Sequence, residues 1–201
     1  MIVTPGTQGP HPSYGPSHHP PCLQGSCPFQ NLSVDLITNL LPVNGLDSVM
    51  VMVDHGLSKG VILAPCTKTV DAAGIAQLFF NHVFKQFELH KKVMSDYGLQ
   101  FTSAFARELA RLLQYDIALF LAYHPQINKE TECYNQELET YLHIFCKGQP
   151  QKWLELLPMA EFAHNAAIHS VTGKFPFSLI MGYEPRSYPS LGKTFLPALK
   201  Q

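Results

Sequence analysis

Between residues 31 and 66 the apolar positions fall into three short runs separated by turn-forming residues. "LSVDLITNL" is β-prone and is followed by "PVNGLDS", whose Asn-Gly pair marks a turn. "VMVMVD" is a second run that ends at Asp54, and "VILAP" follows the polar "HGLSKG" as a third. Three strands with short connections predict an antiparallel meander. The period then becomes helical: Ile75, Leu78, Phe79, Val83 and Phe87 recur at three- and four-residue spacing, with Thr69 as the expected N-cap. "KKVMS" predicts a short fourth strand just before Asp96. "FTSAFARELARLLQ" predicts a helix capped by Thr102 or Ser103 and buried through Phe105, Leu109 and Leu112. "DIALFLAY" reads as a further buried strand, and "YHPQINKETECYNQELE" opens another helix. A last helix is expected over "QKWLELLPMAEFAHNAAIHS", kinked at Pro158. The order βββ-α-β-α-β-α-α predicts an α/β fold, a mixed sheet with helices on its faces.

Residues 1 to 30 break this texture, holding 7 of the 16 prolines and no Asp, Glu, Lys or Arg. Such a segment keeps neither a helical nor a strand period, and a poorly ordered arm over residues 1–28 is expected. His11, His18, His19, Cys22 and Cys27 lie in it. Zinc prefers close ligand pairs, whereas His18 and His19 are adjacent and would point apart, so the arm reading is preferred. The five cysteines are odd in number and scattered, and reduced thiols in an intracellular protein are expected. The 201 residues suit one domain, with 46% hydrophobic and 14% charged residues in a globular balance. No apolar run approaches the roughly 20 residues of a membrane span, so no membrane partner is expected. The net charge of −1 lacks the basic surplus that nucleic-acid binding usually shows, and any such role has to overcome it.

Candidate chemistry lies in the carboxylates at strand ends. Asp35 interrupts the first strand between Val34 and Leu36. A half-buried acid there is costly unless paired or metal-bound, and an outward edge position is the competing reading. Asp96 follows the fourth strand and precedes Gly98, where a turn-forming role competes. Glu130, Glu132, Glu137 and Glu139 crowd one helix whose apolar stripe is Tyr134, Leu138, Tyr141, Leu142 and Phe145. At roughly 100° per residue Glu132 points almost opposite that stripe, beside Gln136 and Glu139. Glu130 and Glu137 fall at its margin. Periodicity alone leaves Glu132 open between a ligand and an ordinary solvated glutamate.

Four stretches, "SVDLITNLLPVNGLDSVMVMVD", "VMSDYGLQFTSAF", "YHPQINKETECYNQELE" and "ELLPMAEFAHNAAIHSVTGKFPFSLIMGYEPR", together resemble the integrase catalytic core of gypsy-like LTR retrotransposons. The resemblance is collinear over residues 29–189, leaving 190–201 as a tail. Thirty-five residues separate Asp96 from Glu132, the spacing that names the DD(35)E group. The resemblance implies an RNase H-like fold and a catalytic, metal-holding triad of Asp35, Asp96 and Glu132. It implies metal-dependent DNA integration, by 3′-end processing and strand transfer, on element ends and target DNA. Two Mg²⁺ ions about 4 Å apart, with Mn²⁺ as a substitute, suit an in-line attack on a phosphodiester. Asp35 would then bridge both ions, with Asp96 and Glu132 each holding one, while Asp54 corresponds to no triad position. His124, Gln126 and Asn135 match family positions near the site and, with Lys129 and Gln136, are the expected nucleic-acid contacts. For His124, simple loop structure competes. A homo-oligomer, a nuclear location and RNA as an additional partner belong to the same expectation.

Several positions depart from the family pattern. Tyr97 follows the second Asp where a small or basic residue is usual, Lys129 replaces a mobile glycine, and Cys133 replaces an arginine. Phe120 and Leu121 stand where "ST" is usual, and Ala106 replaces a frequent tryptophan. The zinc-binding and basic regions of full integrases are expected to lie outside this chain, which accounts for its near-neutral charge. The competing reading is a truncated, catalytically silent remnant that binds nucleic acid or self-associates.

Overall fold

The structure is a computed structural model and describes residues 27–88, 92–95, 98–114 and 149–186. Strand β1 (Asn31–Ile37) pairs antiparallel with β2 (Ser48–Asp54), which pairs antiparallel with β3 (Val61–Cys66). The expected meander is therefore present. β4 (Lys92–Met94) lies parallel to β1, with Asn31 opposite Lys92 and Ser33 opposite Met94, giving the order β3-β2-β1-β4.

Side chains alternate between two covered faces, as strand geometry requires. Leu32, Val34, Met50, Met52, Ile62 and Ala64 pack against helices α1 (Ala72–Phe79) and α3 (Gly98–Leu113). On the opposite face Ile37, Val49, Val51, Val53, Val61 and Leu63 pack against helix α4 (Trp153–Asn165) through Trp153, Leu157 and Ala160. All seven residues of β2 are buried, since both faces of that strand are covered. Each fully buried large apolar side chain contributes roughly 1.5–3 kcal/mol, so these two layers carry the fold. Phe79 and Phe105 meet edge to face at 5.6 Å and join α1 to α3.

Helix boundaries differ from the sequence expectation in places. The N-cap of α1 is Asp71, whose carboxylate accepts from the Gly74 N–H at 2.8 Å, and the Thr69 hydroxyl instead meets that of Thr67. Asp caps as well as Thr and sits nearer the first helical turn. A π-helical segment (Phe80–Phe84) joins α1 to the short α2 (Lys85–Phe87), with the Phe80 and Phe84 rings stacked at 5.2 Å. Helix α3 begins at Gly98, so Thr102 and Ser103 lie within it rather than capping it. Helix α4 runs through Pro158 and ends at Asn165, and a separate α5 (Pro176–Met181) follows. The expected strand over 116–123 and the helix after it lie outside the described residues, as do the tail and nearly all of the N-terminal arm. Of the two described cysteines, Cys66 is a buried free thiol, whereas Cys27 is disulfide-bonded, which corrects the expectation of reduced thiols throughout. No helix among the described residues is long and apolar enough to cross a membrane.

Candidate active site

Asp35 sits on β1, and β1 is an interior strand flanked by β2 and β4. The edge position that sequence left open is thereby excluded. Leu32, Val34 and Leu36 turn to the α1–α3 side, so alternation directs Ser33, Asp35 and Ile37 to the α4 side. Asp35 is half-buried there, level with Val51 of β2, and its Oδ1 accepts the Leu36 N–H at 2.7 Å. Two residues before it, buried Ser33 bonds through Oγ to Nε2 of His55 at 2.7 Å. The His55 N–H also donates to the Asn31 carbonyl at 2.7 Å. His55 thus clamps the strand that carries Asp35 at two points. Sequence reasoning passed over this pair because its members are 22 residues apart and no local pattern links them.

Asp54 is fully buried, and its carboxylate is turned inward on its own loop. Oδ1 accepts from the Gly56 N–H at 2.7 Å, while Oδ2 accepts from the Ser58 N–H at 2.8 Å and the Ser58 hydroxyl at 2.6 Å. A Cβ at residue 56 would stand a tight 3.0 Å from that same Oδ1, so any larger residue would push on this carboxylate. The carboxylate organises the β2–β3 turn, in keeping with its lack of a triad counterpart.

The remaining predicted site residues, Asp96, Glu132, His124, Gln126, Lys129, Asn135 and Gln136, lie outside the described residues. Among the described residues no three His, Cys, Asp or Glu side chains converge as a metal site. The half-buried carboxylate of Asp35 nonetheless has the hard oxygen chemistry that Mg²⁺ selects.

This arrangement is that of an RNase H-like fold of the integrase-core type, as structural comparison bears out. The catalytic core of HTLV-2 integrase in complex with magnesium, in its trimeric form, superposes with a TM-score of 0.56 at 16% identity, covering 78% of this chain and 99% of that one. A chain of the simian T-cell lymphotropic virus intasome in complex with PP2A regulatory subunit B56 gamma also gives 0.56 at 16% identity, over 84% of this chain and 60% of that one. In sequence, the chain is homologous to retrotransposon polyproteins: it is 33% identical over 179 residues to the Tf2-3 and Tf2-4 polyproteins of Schizosaccharomyces pombe. That alignment covers 89% of this chain but only 13% of the length of those relatives. No protein-family model matches the chain. The chain is thus homologous to a segment of retrotransposon polyproteins and shares the fold of retroviral integrase catalytic cores.

Proposed function

We propose that residues 29–189 form an integrase core that processes DNA 3′ ends and joins them to target DNA, using Asp35, Asp96 and Glu132. The observation that carries this reading is the parallel register of β1 and β4 in a fold of integrase type. Ser33 pairs with Met94, and Asp35 and Asp96 each follow their paired residue by two. Homology to retrotransposon polyproteins supports DNA as the substrate, and the magnesium-bound structural neighbour supports a divalent metal.

In this reading the Asp35 carboxylate is a metal ligand, held by the Leu36 N–H and by a strand clamped through His55. Divalent ions bound by the three carboxylates would lower the pKa of the attacking water or hydroxyl and stabilise the leaving oxygen. The buried α1–α3 side of the sheet, through Leu32, Val34 and Leu36, gives β1 a rigid backing behind Asp35. Self-association of the chain and action on chromosomal DNA in the nucleus complete the proposal. Dimeric and trimeric forms of HTLV-2 integrase core support the former.

The test is strand transfer in Mg²⁺ or Mn²⁺, with the flanking regions of an intact element restored. Activity is expected from the unaltered chain and is expected to vanish in Asp35→Asn, Asp96→Asn and Glu132→Gln. Activity surviving any of these substitutions refutes the assigned role. A silent remnant is favoured by the departures at Tyr97, Lys129 and Cys133 and by the net charge of −1. Calorimetric titration with Mn²⁺ separates the two, because a remnant with a dead site binds none.

A further inference from the structure

Asp35 is three residues from Thr38, the first residue of the connection between β1 and β2, and that connection folds over the face from which Asp35 projects. Its Leu40, Val43 and Leu46 pack on the α4-side cluster, and the Trp153 indole N–H donates to the Leu41 carbonyl at 2.8 Å. Val43 and Leu46 bridge to each other at 2.8 and 2.9 Å, closing the tip. Asp47 then ties this loop to the one between β3 and α1. The Leu40 N–H donates to the Asp47 carbonyl at 2.9 Å, the Asp47 N–H to the Cys66 carbonyl at 3.2 Å, and the Lys68 N–H to the Asp47 carboxylate at 2.7 Å. The two loops make one pinned rim, roughly 10 Å beyond Asp35 along the strand at about 3.3 Å per residue.

The rim turns Leu40, Val43 and Leu46 inward and leaves hydrogen-bonding side chains outside, beside the exposed Leu41. Thr38, Asn39, Asn44, Lys68 and Thr69 are all exposed. Asn39 and Asn44 hold left-handed backbones, with φ of 62° and 52°, which turn the chain outward at both positions. Of the two carboxylates in the rim, that of Asp47 faces the Lys68 N–H and the Ser48 hydroxyl, and that of Asp71 accepts the Gly74 N–H at the start of α1. Amides, hydroxyls and a single ammonium are the groups that contact sugar and phosphate while carrying no sequence preference.

We propose that this rim is a DNA-backbone contact, with Asn39, Asn44 and Lys68 holding a strand a few nucleotides from the phosphodiester presented at Asp35. The proposal rests on the integrase reading for its substrate class and adds a binding surface built from other residues. A recognition surface of this kind also answers the chain's near-neutral charge, since most of its contacts are uncharged.

The test is fluorescence anisotropy of a labelled DNA duplex with the full chain over a series of salt concentrations. Asn39→Gly and Asn44→Gly remove the amides and keep the left-handed backbones; Lys68→Gln removes the charge. Each is expected to weaken binding several-fold with an unchanged thermal midpoint, and Lys68→Gln to reduce the salt slope by about one. The rim is refuted if the unaltered chain binds no duplex at low salt, or if all three variants keep affinity and salt slope. Strand transfer separates this result from the integrase reading. Rim-dependent binding without transfer refutes the enzyme and leaves the rim standing, and transfer that is indifferent to the three variants refutes the rim alone.

Discussion

The side-chain amide of Asn165, the last residue of α4, pairs with both backbone groups of Val61. Its Oδ1 accepts from the Val61 N–H at 2.9 Å, and its Nδ2 donates to the Val61 carbonyl at 2.9 Å. One helical turn earlier, Glu161 accepts from the Leu63 N–H at 2.8 Å. The next position of that alternation is Pro65, which has no N–H to offer. A step of four residues on a helix spans about 6 Å and a step of two on a strand about 6.7 Å, so the two elements stay in register. Among the described residues β3 is an edge strand, and an unpaired edge is a template for unwanted strand addition. Here α4 closes it with side chains.

Removing the amide of Asn165 therefore leaves two buried backbone groups without partners. Asn165→Ala is expected to lower stability by about 2–6 kcal/mol, at roughly 1–3 kcal/mol for each of the two groups left unsatisfied. Urea unfolding checks this, and a loss below 1 kcal/mol contradicts it. The variant is also expected to aggregate faster near its midpoint, because the β3 edge is opened.

Glu161 gives the same seal a pH dependence. Burial holds its carboxyl above the ordinary value of 4.5, against the lowering effect of the Leu63 N–H. The folded chain then binds this proton more tightly than the unfolded chain does. Its contribution to stability is fully present below about pH 4.5 and is lost as pH rises through the raised folded value. Glu161→Gln keeps an acceptor for Leu63 and removes the titration. Its thermal midpoint is expected to fall less than that of the parent between pH 4.5 and 7, and parallel curves across that range contradict the assignment.

What could be read in advance divides along the range of the interaction. The three strands, the helix after residue 70 and the interior meander were legible because period and turn chemistry are local signals, as at Asn44-Gly45. The position of Asp35 in an interior strand was not, since alternation names a face but not a neighbour. Ser33 with His55, and Val61 with Asn165, are 22 and 104 residues apart, and nothing in either segment announces the other. The cap of α1 was missed by two residues because Thr69 and Asp71 are both good caps, and the choice was made by the reach of the Asp71 carboxylate to Gly74. The integrase-type fold was legible from collinear motifs rather than from any single one.

Cys66 ends β3 within the cluster that packs against α1 and α3, and burial pushes its thiol up to about 11. The backbone hydrogen bond at Met50 opposes this, and the Asp47 carboxylate adds to it. The reactive thiolate is therefore suppressed at neutral pH. Cys66 is expected to resist a maleimide reagent in the native chain and to react within the unfolding transition in urea, as read by mass spectrometry of the peptide that contains it. Rapid native labelling at pH 7.5 would mean that the packing of the α1–α3 layer on β3 opens on the labelling timescale.

Asp54 and Asp35 face the same test with opposite expectations. Asp54→Asn retains one carbonyl oxygen for the Gly56 N–H but turns an NH₂ group toward the Ser58 N–H and hydroxyl, where two donors already point. A buried donor left without an acceptor costs roughly 1–3 kcal/mol, and the lost charge-assisted bonds add to it, so a fall of about 2–4 kcal/mol is expected. Affinity for Mn²⁺ should not change, because that carboxylate is consumed by its own turn. Asp35→Asn keeps an oxygen for the Leu36 N–H and removes the charge that would hold a metal, so Mn²⁺ affinity should fall. Urea unfolding and calorimetry on the two variants separate a structural carboxylate from a functional one. Loss of metal binding in Asp54→Asn under conditions where it remains folded would reverse the two roles.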